Sequence, residues 1–252
     1  MRQLKPKHIL LFRILRDHCS FLTRAQIQRV LTLPANSANK QLNWLMGEKY
    51  LSRRYRADTY GHFQTPIYYL GPVGWQIVGN ASEEYKGYKS KIQQRSESDL
   101  EHCLATHSVL LKFILEGGAK RVLKSDDQVW AGAIQFGNIP DGWIQYDGGE
   151  AFIEVDRGTE QPVVMRRKFE KYLAFTRSGG YASTFPGCSF RVLVITTDER
   201  RIESLEKISV SDDMWFATME EFWREALGHE HWFALNGFYA LPVAGKKEVQ
   251  GM

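Results

Sequence analysis

Cysteine is scarce in this chain of 252 residues, and what there is cannot do thiol chemistry in pairs. Cys19, Cys103 and Cys188 are odd in number, lie far apart and include no Cys-x-x-Cys motif. That argues against a disulfide framework, a thiolate zinc grip and a dithiol redox centre; buried free thiols in a reducing compartment are the simplest reading. Any apolar run long enough to span a bilayer is also missing, as is a leader-like N-terminus. The chain is therefore expected to be cytoplasmic and to have no membrane partner. No Gly-rich loop leads into a Lys-Ser or Lys-Thr pair, which speaks against a P-loop ATPase. His102 and His107 are five apart, so they do not share a helix face as an i, i+4 zinc pair would, and they read as structural.

Acidic residues are sparse in the first third. Residues 1–95 hold 5 Asp and Glu against 16 Lys and Arg, a net +11, whereas residues 96–252 hold 24 against 17, a net −7. A basic head on an acidic body suggests that the head meets a polyanion and the body does something else.

The head has the local signals of three helices and a ribbon. Leu10, Leu11, Ile14 and Leu15 give residues 7–18 one buried face. Thr23 and Gln26 form a capping box, with Leu22 placed to staple onto Ile27, so a second helix covers residues 24–31. Pro34, Asn36 and Ser37 make a short turn and cap before a third helix whose buried stripe is Leu42, Leu45 and Met46. The opposite face offers Ser37, Asn39, Lys40 and Asn43, side chains able to exchange hydrogen bonds with base edges. Ser52-Arg53-Arg54-Tyr55-Arg56, a polar turn through Asp58 and Gly61, and residues 65–70 then read as a two-stranded wing. Arg53, Arg54 and Arg56 are its expected phosphate contacts, the plainer alternative being a charged, solvated edge strand. The expected module is a winged helix-turn-helix binding double-stranded DNA; protein contact is the other use of such a module. Gly71-Pro72-Val73-Gly74-Trp75 starts a further short helix, and the polar stretch to residue 98 reads as a linker helix or hinge.

The body alternates differently. A helix carrying Leu100, Leu104, Leu111 and Leu115 stops at Gly117-Gly118. Strand-like stretches follow at 121–123, 128–136, 143–146 and 150–155, then a helix over 163–175, a strand over 190–196 and a helix over 199–208. This predicts an α/β (α+β) protein with a mixed sheet flanked by helices. Asp147-Gly148 favours a two-residue hairpin that would set Asp141 opposite Glu154, with Asp156 on the same face. Three carboxylates so placed need a cation, either a metal ion or one of Arg157, Arg167, Lys168 and Lys171. The aromatic C-terminal region, with Trp215, Phe216, Phe222, Trp223, Trp232 and Phe233, reads as core or as a dimer face rather than a base-stacking platform.

Two resemblances attach to these residues. Ile139-Pro140-Asp141-Gly142, then Phe152 to Glu160 with its Glu-Val-Asp-Arg-Gly-Thr-Glu run, then Lys168 and Tyr172, resemble the replication-relaxation family of plasmid and mobile-element proteins. Leu100-Glu101-His102-Cys103-Leu104 and the head extend the likeness. It implies DNA binding in plasmid replication, topology or mobilisation. More distantly, the body's α, β, β, β, α, β order resembles the PD-(D/E)XK nuclease fold. There Asp141 and Glu154 would hold Mg or Mn and Lys168 or Lys171 would supply the ammonium, because Asp156 stands where that fold has lysine; Glu101 could add a carboxylate. If the site is active, the catalytic set is Asp141, Glu154, Asp156 and Lys168; if it is inert, no cofactor is needed.

The expected organisation is a winged helix-turn-helix at 1–80, a linker at 81–98, a nuclease-like domain at 99–242 and a loose tail at 243–252. The expected function is non-catalytic DNA binding in replication, mobilisation or transcriptional control of a mobile element, with a homodimer and replication or relaxase proteins as candidate partners. The alternatives are a metal-dependent endonuclease and a protein-interaction adaptor.

Overall fold

A computed structural model describes residues 3–56, 65–79, 82–124, 140–146, 149–185, 190–227, 230–234 and 237–240. The wing turn with Asp58 and Gly61, the strand expected at 128–136, the Asp147-Gly148 turn, Cys188 and the tail at 243–252 lie outside the described residues. The chain divides into two compact units, Met1–Leu111 and Lys112–Met252.

In the first unit, α1 (Pro6–Asp17) opens on a proline whose fixed φ suits a first helical turn. It buries Leu11, Phe12, Ile14 and Leu15, while Leu10, expected in that stripe, is 43% exposed. Phe12 takes its place because the buried face is centred one position further round the helix. A short strand β1 (Phe21–Thr23) leads into α2 (Arg24–Val30). The capping box forms as expected: Gln26 N donates to Thr23 Oγ1 at 3.3 Å and Thr23 N to Gln26 Oε1 at 2.7 Å. The Gln26 amide reaches further, donating to the Leu104 carbonyl at 3.2 Å and to Ser108 Oγ at 2.7 Å.

The third helix, α3 (Ala35–Gly47), starts directly after Pro34, so Asn36 and Ser37 lie in its first turn instead of capping it. Strands β2 (Leu51–Arg54) and β3 (Ile67–Leu70) complete an antiparallel sheet of order β1-β3-β2. The next helix, α4 (Pro72–Val78), packs so closely on the preceding turn that a Cβ at Gly74 would lie 2.2 Å from the Tyr50 carbonyl oxygen. Then come α5 (Ser82–Gln94) and α6 (Glu97–Glu116). The segment expected as a linker helix or hinge is thus helical and packed. Ile92 and Tyr88 of α5 pack with Phe21, Ile67, Tyr69, Leu100 and Leu104, and the division between units falls inside α6. Apolar residues at helical spacing tie the segment to the sheet, a pattern the charged residues around them obscured.

The second unit is built on a mixed sheet of seven strands among the described residues, in the order β10-β9-β8-β7-β6-β5-β4. Strands β4 (Arg121–Lys124), β5 (Gly142–Tyr146) and β6 (Gly149–Val155) form an antiparallel meander. Helices α7 (Pro162–Arg177) and α8 (Gly180–Thr184) lead to β7 (Val192–Thr196), and α9 (Glu199–Glu206) to β8 (Met214–Thr218). Strands β6, β7 and β8 are parallel neighbours. They are buried along nearly their whole length, as strands covered on both faces must be. A short α10 (Met219–Arg224) and the strands β9 (Glu230–Ala234) and β10 (Gly237–Ala240) close the unit. Phe152, Phe169, Tyr172, Phe190 and Phe216 fill one large cluster. Phe222 meets both Phe113 and Trp232 in another. Trp215, Phe216, Phe222 and Trp232 are all buried, so this part of the aromatic C-terminal region is core.

The register of β5 and β6 matches the two-residue hairpin expectation, since Gly142 pairs with Ile153 and Tyr146 with Gly149. Asp141, just before β5, therefore falls beside Glu154 of β6.

Candidate functional site

Two groupings of polar side chains stand out, one in each unit. In the first, α3 buries Ala38, Leu42 and Leu45 and leaves Met46 half-covered, which turns Asn36, Asn39, Lys40 and Asn43 to the exposed side. These four recur at i, i+3, i+4 and i+7, so they form one continuous ridge. Ser37 is half-buried at its edge and its hydroxyl donates to the Pro34 carbonyl at 2.9 Å. In the sequence Asn36 reads as a cap; its spacing from Asn39 and Asn43 is the signal that it belongs to the ridge.

The three wing arginines are not equivalent. Arg53 is exposed, with its guanidinium 4.8 Å from the Tyr55 ring centroid. Arg54 instead donates to the carbonyls of Ile92, Gln93 and Arg95 and to Glu97 Oε1 at 2.9 Å, satisfying the orphan carbonyls that end α5. Arg56 pairs with Glu97 at 3.4 Å and Glu101 at 2.8 Å and is only 15% exposed. Glu101 is thus engaged by Arg56. Arg54→Ala is expected to cost about 2 kcal/mol, because several charge-assisted hydrogen bonds vanish together. Urea unfolding would register the loss; an unchanged midpoint would show the network to be idle.

In the second unit, Asp141, Glu154, Lys168 and Tyr172 converge. Asp141 Oδ2 accepts from Val155 N at 2.8 Å. The Glu154 carboxylate, almost wholly buried, accepts from the Tyr172 hydroxyl on one oxygen and lies 3.4 Å from Lys168 Nζ on the other. Lys168 also meets Glu160 at 3.0 Å. Positions 168 and 172 are one turn apart on α7, which is why both reach the same strand.

Burial, reinforced by the Asp141 charge, pushes the Glu154 carboxyl up to about 7 from its ordinary 4.5, against the downward pull of Lys168 and Tyr172. Burial disfavours the Lys168 ammonium, yet Glu154, Glu160 and Asp141 outweigh it and hold the group above its usual value. Burial and then the Glu154 charge raise the Tyr172 hydroxyl well above the ordinary tyrosine range, so it stays a donor.

Asp156 does not join this group. Its carboxylate is held by Arg201 Nε at 2.5 Å, Thr196 Oγ1 at 3.1 Å and Gly158 N at 2.9 Å. Asp156 follows directly after β6, its N–H donating to the Ile195 carbonyl at 2.9 Å, and its carboxylate meets the end of β7 and α9 further along the sheet. Arg201, absent from the expected cations, also donates to the Glu160 carbonyl at 2.6 Å and so braces the loop that brings Glu160 to Lys168. Among the described residues no group of three or more His, Cys, Asp or Glu side chains is placed to hold a metal ion. Nor is any helix among them long and apolar enough to cross a membrane.

Against known families, the model of the replication-relaxation family matches residues 12–187. That span takes in the α3 ridge and the Asp141, Glu154, Lys168 and Tyr172 group, but stops short of Arg201. Among curated proteins nothing matches the chain.

Proposed function

The chain belongs to the replication-relaxation family, and from that premise we propose that it is a double-stranded DNA-binding protein acting in replication, mobilisation or transcriptional control of a plasmid or other mobile element. On this reading the first unit is a winged helix-turn-helix and α3 is its recognition helix. The observation that carries it is the exposed ridge of Asn36, Asn39, Lys40 and Asn43. Amides both donate and accept, as adenine's major-groove edge requires, and an ammonium suits the acceptors of guanine. A helix roughly 10–12 Å across fits a groove about 12 Å wide. The net +11 of residues 1–95 supplies the attraction to phosphate, and Arg53 is the wing arginine placed for a direct contact. A symmetric operator would pair with a homodimer, and relaxase or other replication proteins are its natural company.

The test is fluorescence anisotropy with labelled duplexes, including DNA flanking its own gene, over a range of salt. Affinity is expected to fall linearly on a log–log plot as salt rises, with a preferred site surviving excess random competitor. Protein that ignores every duplex in dilute buffer would end this reading, and protein contact would become the use of the module.

A second reading rests on the meeting of Asp141, Glu154 and Lys168: a Mg- or Mn-dependent endonuclease of PD-(D/E)XK type. Burial first, and then the Asp141 charge, raise the Glu154 carboxyl, and a divalent cation held by the two carboxylates would offset both. Asp141 and Glu154 would hold the ion, which would activate water and stabilise charge on a phosphate. Lys168 would orient that water, and Tyr172 positions Glu154. On this reading Asp156, bonded to Arg201 and Thr196, would not ligate the ion. Supercoiled plasmid nicked in Mn²⁺ by the natural chain, and left intact by Asp141→Ala, is the expected result of an active site. Intact plasmid in both leaves only the binding role.

A further inference from the structure

We propose that the second unit has a DNA-backbone surface of its own, a ridge on α7 made by Val164, Arg167 and Lys171 beside Lys168. The proposal rests on the reading of the chain as a DNA-binding protein, but places a contact where that reading does not.

The core-facing side of α7 carries Met165, Phe169 and Tyr172. Lys168 stands at the border of that side, with its ammonium on Glu154 and Glu160. Going round the helix away from the core, the neighbours of Lys168 at i−4, i−1 and i+3 are Val164, Arg167 and Lys171, all exposed. Val164 and Lys168, Arg167 and Lys171, Val164 and Arg167, and Lys168 and Lys171 are each three or four apart, so the four make one contiguous patch.

The other flank of α7 differs. There Arg166 is matched by Glu170 at 3.0 Å, and Glu170 is the helix's only acidic residue. On α7 itself, whereas the Arg166 and Arg177 flank also carries Glu170, the Arg167 and Lys171 flank therefore carries positive charge only. It does so although residues 96–252 carry a net charge of −7, so the ridge runs counter to the charge around it in sequence.

The chemistry of the patch selects a nucleic-acid backbone over a small anion. Arg167 offers a planar fork and Lys171 a point charge, both suited to phosphodiester oxygens. Val163 and Val164 are 50% and 39% exposed, and an apolar surface beside cations fits deoxyribose carbon between phosphates. Bound there, a strand would run along the border of the Asp141, Glu154 and Lys168 group.

The test uses the full-length chain and a random-sequence duplex. R167Q/K171Q is expected to weaken binding and to lower the slope of log affinity against log salt by about 2, since each lost phosphate contact removes about 0.9. Preference for the specific site over random DNA stays as it was, because phosphates carry no sequence information. The thermal midpoint should not move, both side chains being exposed. R166Q/R177Q removes the same charge from the opposite flank and should leave the slope intact.

Equal slopes for R167Q/K171Q and the natural chain overturn the ridge while leaving the α3 reading in place. Equal losses in both double variants also overturn it, because bulk charge then accounts for the effect. If R167Q/K171Q abolishes binding that α3 variants do not touch, the ridge stands and the α3 reading falls. A natural chain that binds no duplex ends both.

Discussion

Replacing Asn39 and Asn43 together with Ala lowers affinity for the preferred duplex by about a hundredfold or more and leaves random-duplex affinity nearly unchanged. Each amide that reads a base edge contributes about 1–3 kcal/mol of discrimination, and on the proposed reading the two side chains, one turn apart on α3, would meet neighbouring base pairs. Both are exposed, so their loss leaves the buried stripe of Ala38, Leu42 and Leu45 intact and the fold unaffected. Anisotropy titrations on specific and random DNA read the two affinities separately. Equal losses on both would assign these amides to phosphate and remove α3 from sequence recognition.

Lys168→Met produces the other large effect, and it depends on pH. Glu154 in the folded chain titrates near 7 instead of 4.5. Its contribution to stability is therefore most favourable below about pH 4.5, where the carboxyl is neutral whether folded or not, and declines as pH rises through 7. Removing the ammonium pushes the folded carboxyl higher still, so the decline continues beyond 7 in the variant. Stripping one partner from a fully buried pair costs roughly 3–5 kcal/mol; Lys168 keeps 24% exposure, which brings the expected loss to about 2 kcal/mol at pH 8. At pH 5, with Glu154 protonated, most of that loss disappears. Urea unfolding at the two pH values measures it, and Glu154→Gln in the same chain should suppress the pH-dependent part. A deficit of the same size at pH 5 and pH 8 would mean that Lys168 acts through Glu160 and Asp141 and not through Glu154.

Those two effects differ in how early they could be seen. The α3 ridge is a matter of residues three and four apart, and such spacing is printed in the chain. The same holds for the Thr23 and Gln26 capping box, for Lys168 and Tyr172 one turn apart, and for the β5–β6 register, which the Asp-Gly pair in the sequence predicts. In each case the interaction is made by neighbours along a single helix or hairpin, so periodicity is enough to find it.

Arginine is where local reading reached its limit. Arg53, Arg54 and Arg56 look alike in sequence, yet only Arg53 is exposed. Arg54 caps α5, and Arg56 is shared by Glu97 and Glu101, partners 41 and 45 positions away. The sequence offered Arg157, Arg167, Lys168 and Lys171 as cations for the carboxylates, but that of Asp156 is held by Arg201 from α9, 45 positions on. The packing of α5 on the first sheet and the parallel placement of β7 and β8 beside β6 belong to the same class. Residue type and spacing thus determined the helices, the hairpin register and the exposed polar ridge of α3. Which of several equivalent cations each carboxylate would take was decided by tertiary structure alone, because a long flexible side chain pairs with whatever the fold brings within reach, and that distance is not encoded along the chain.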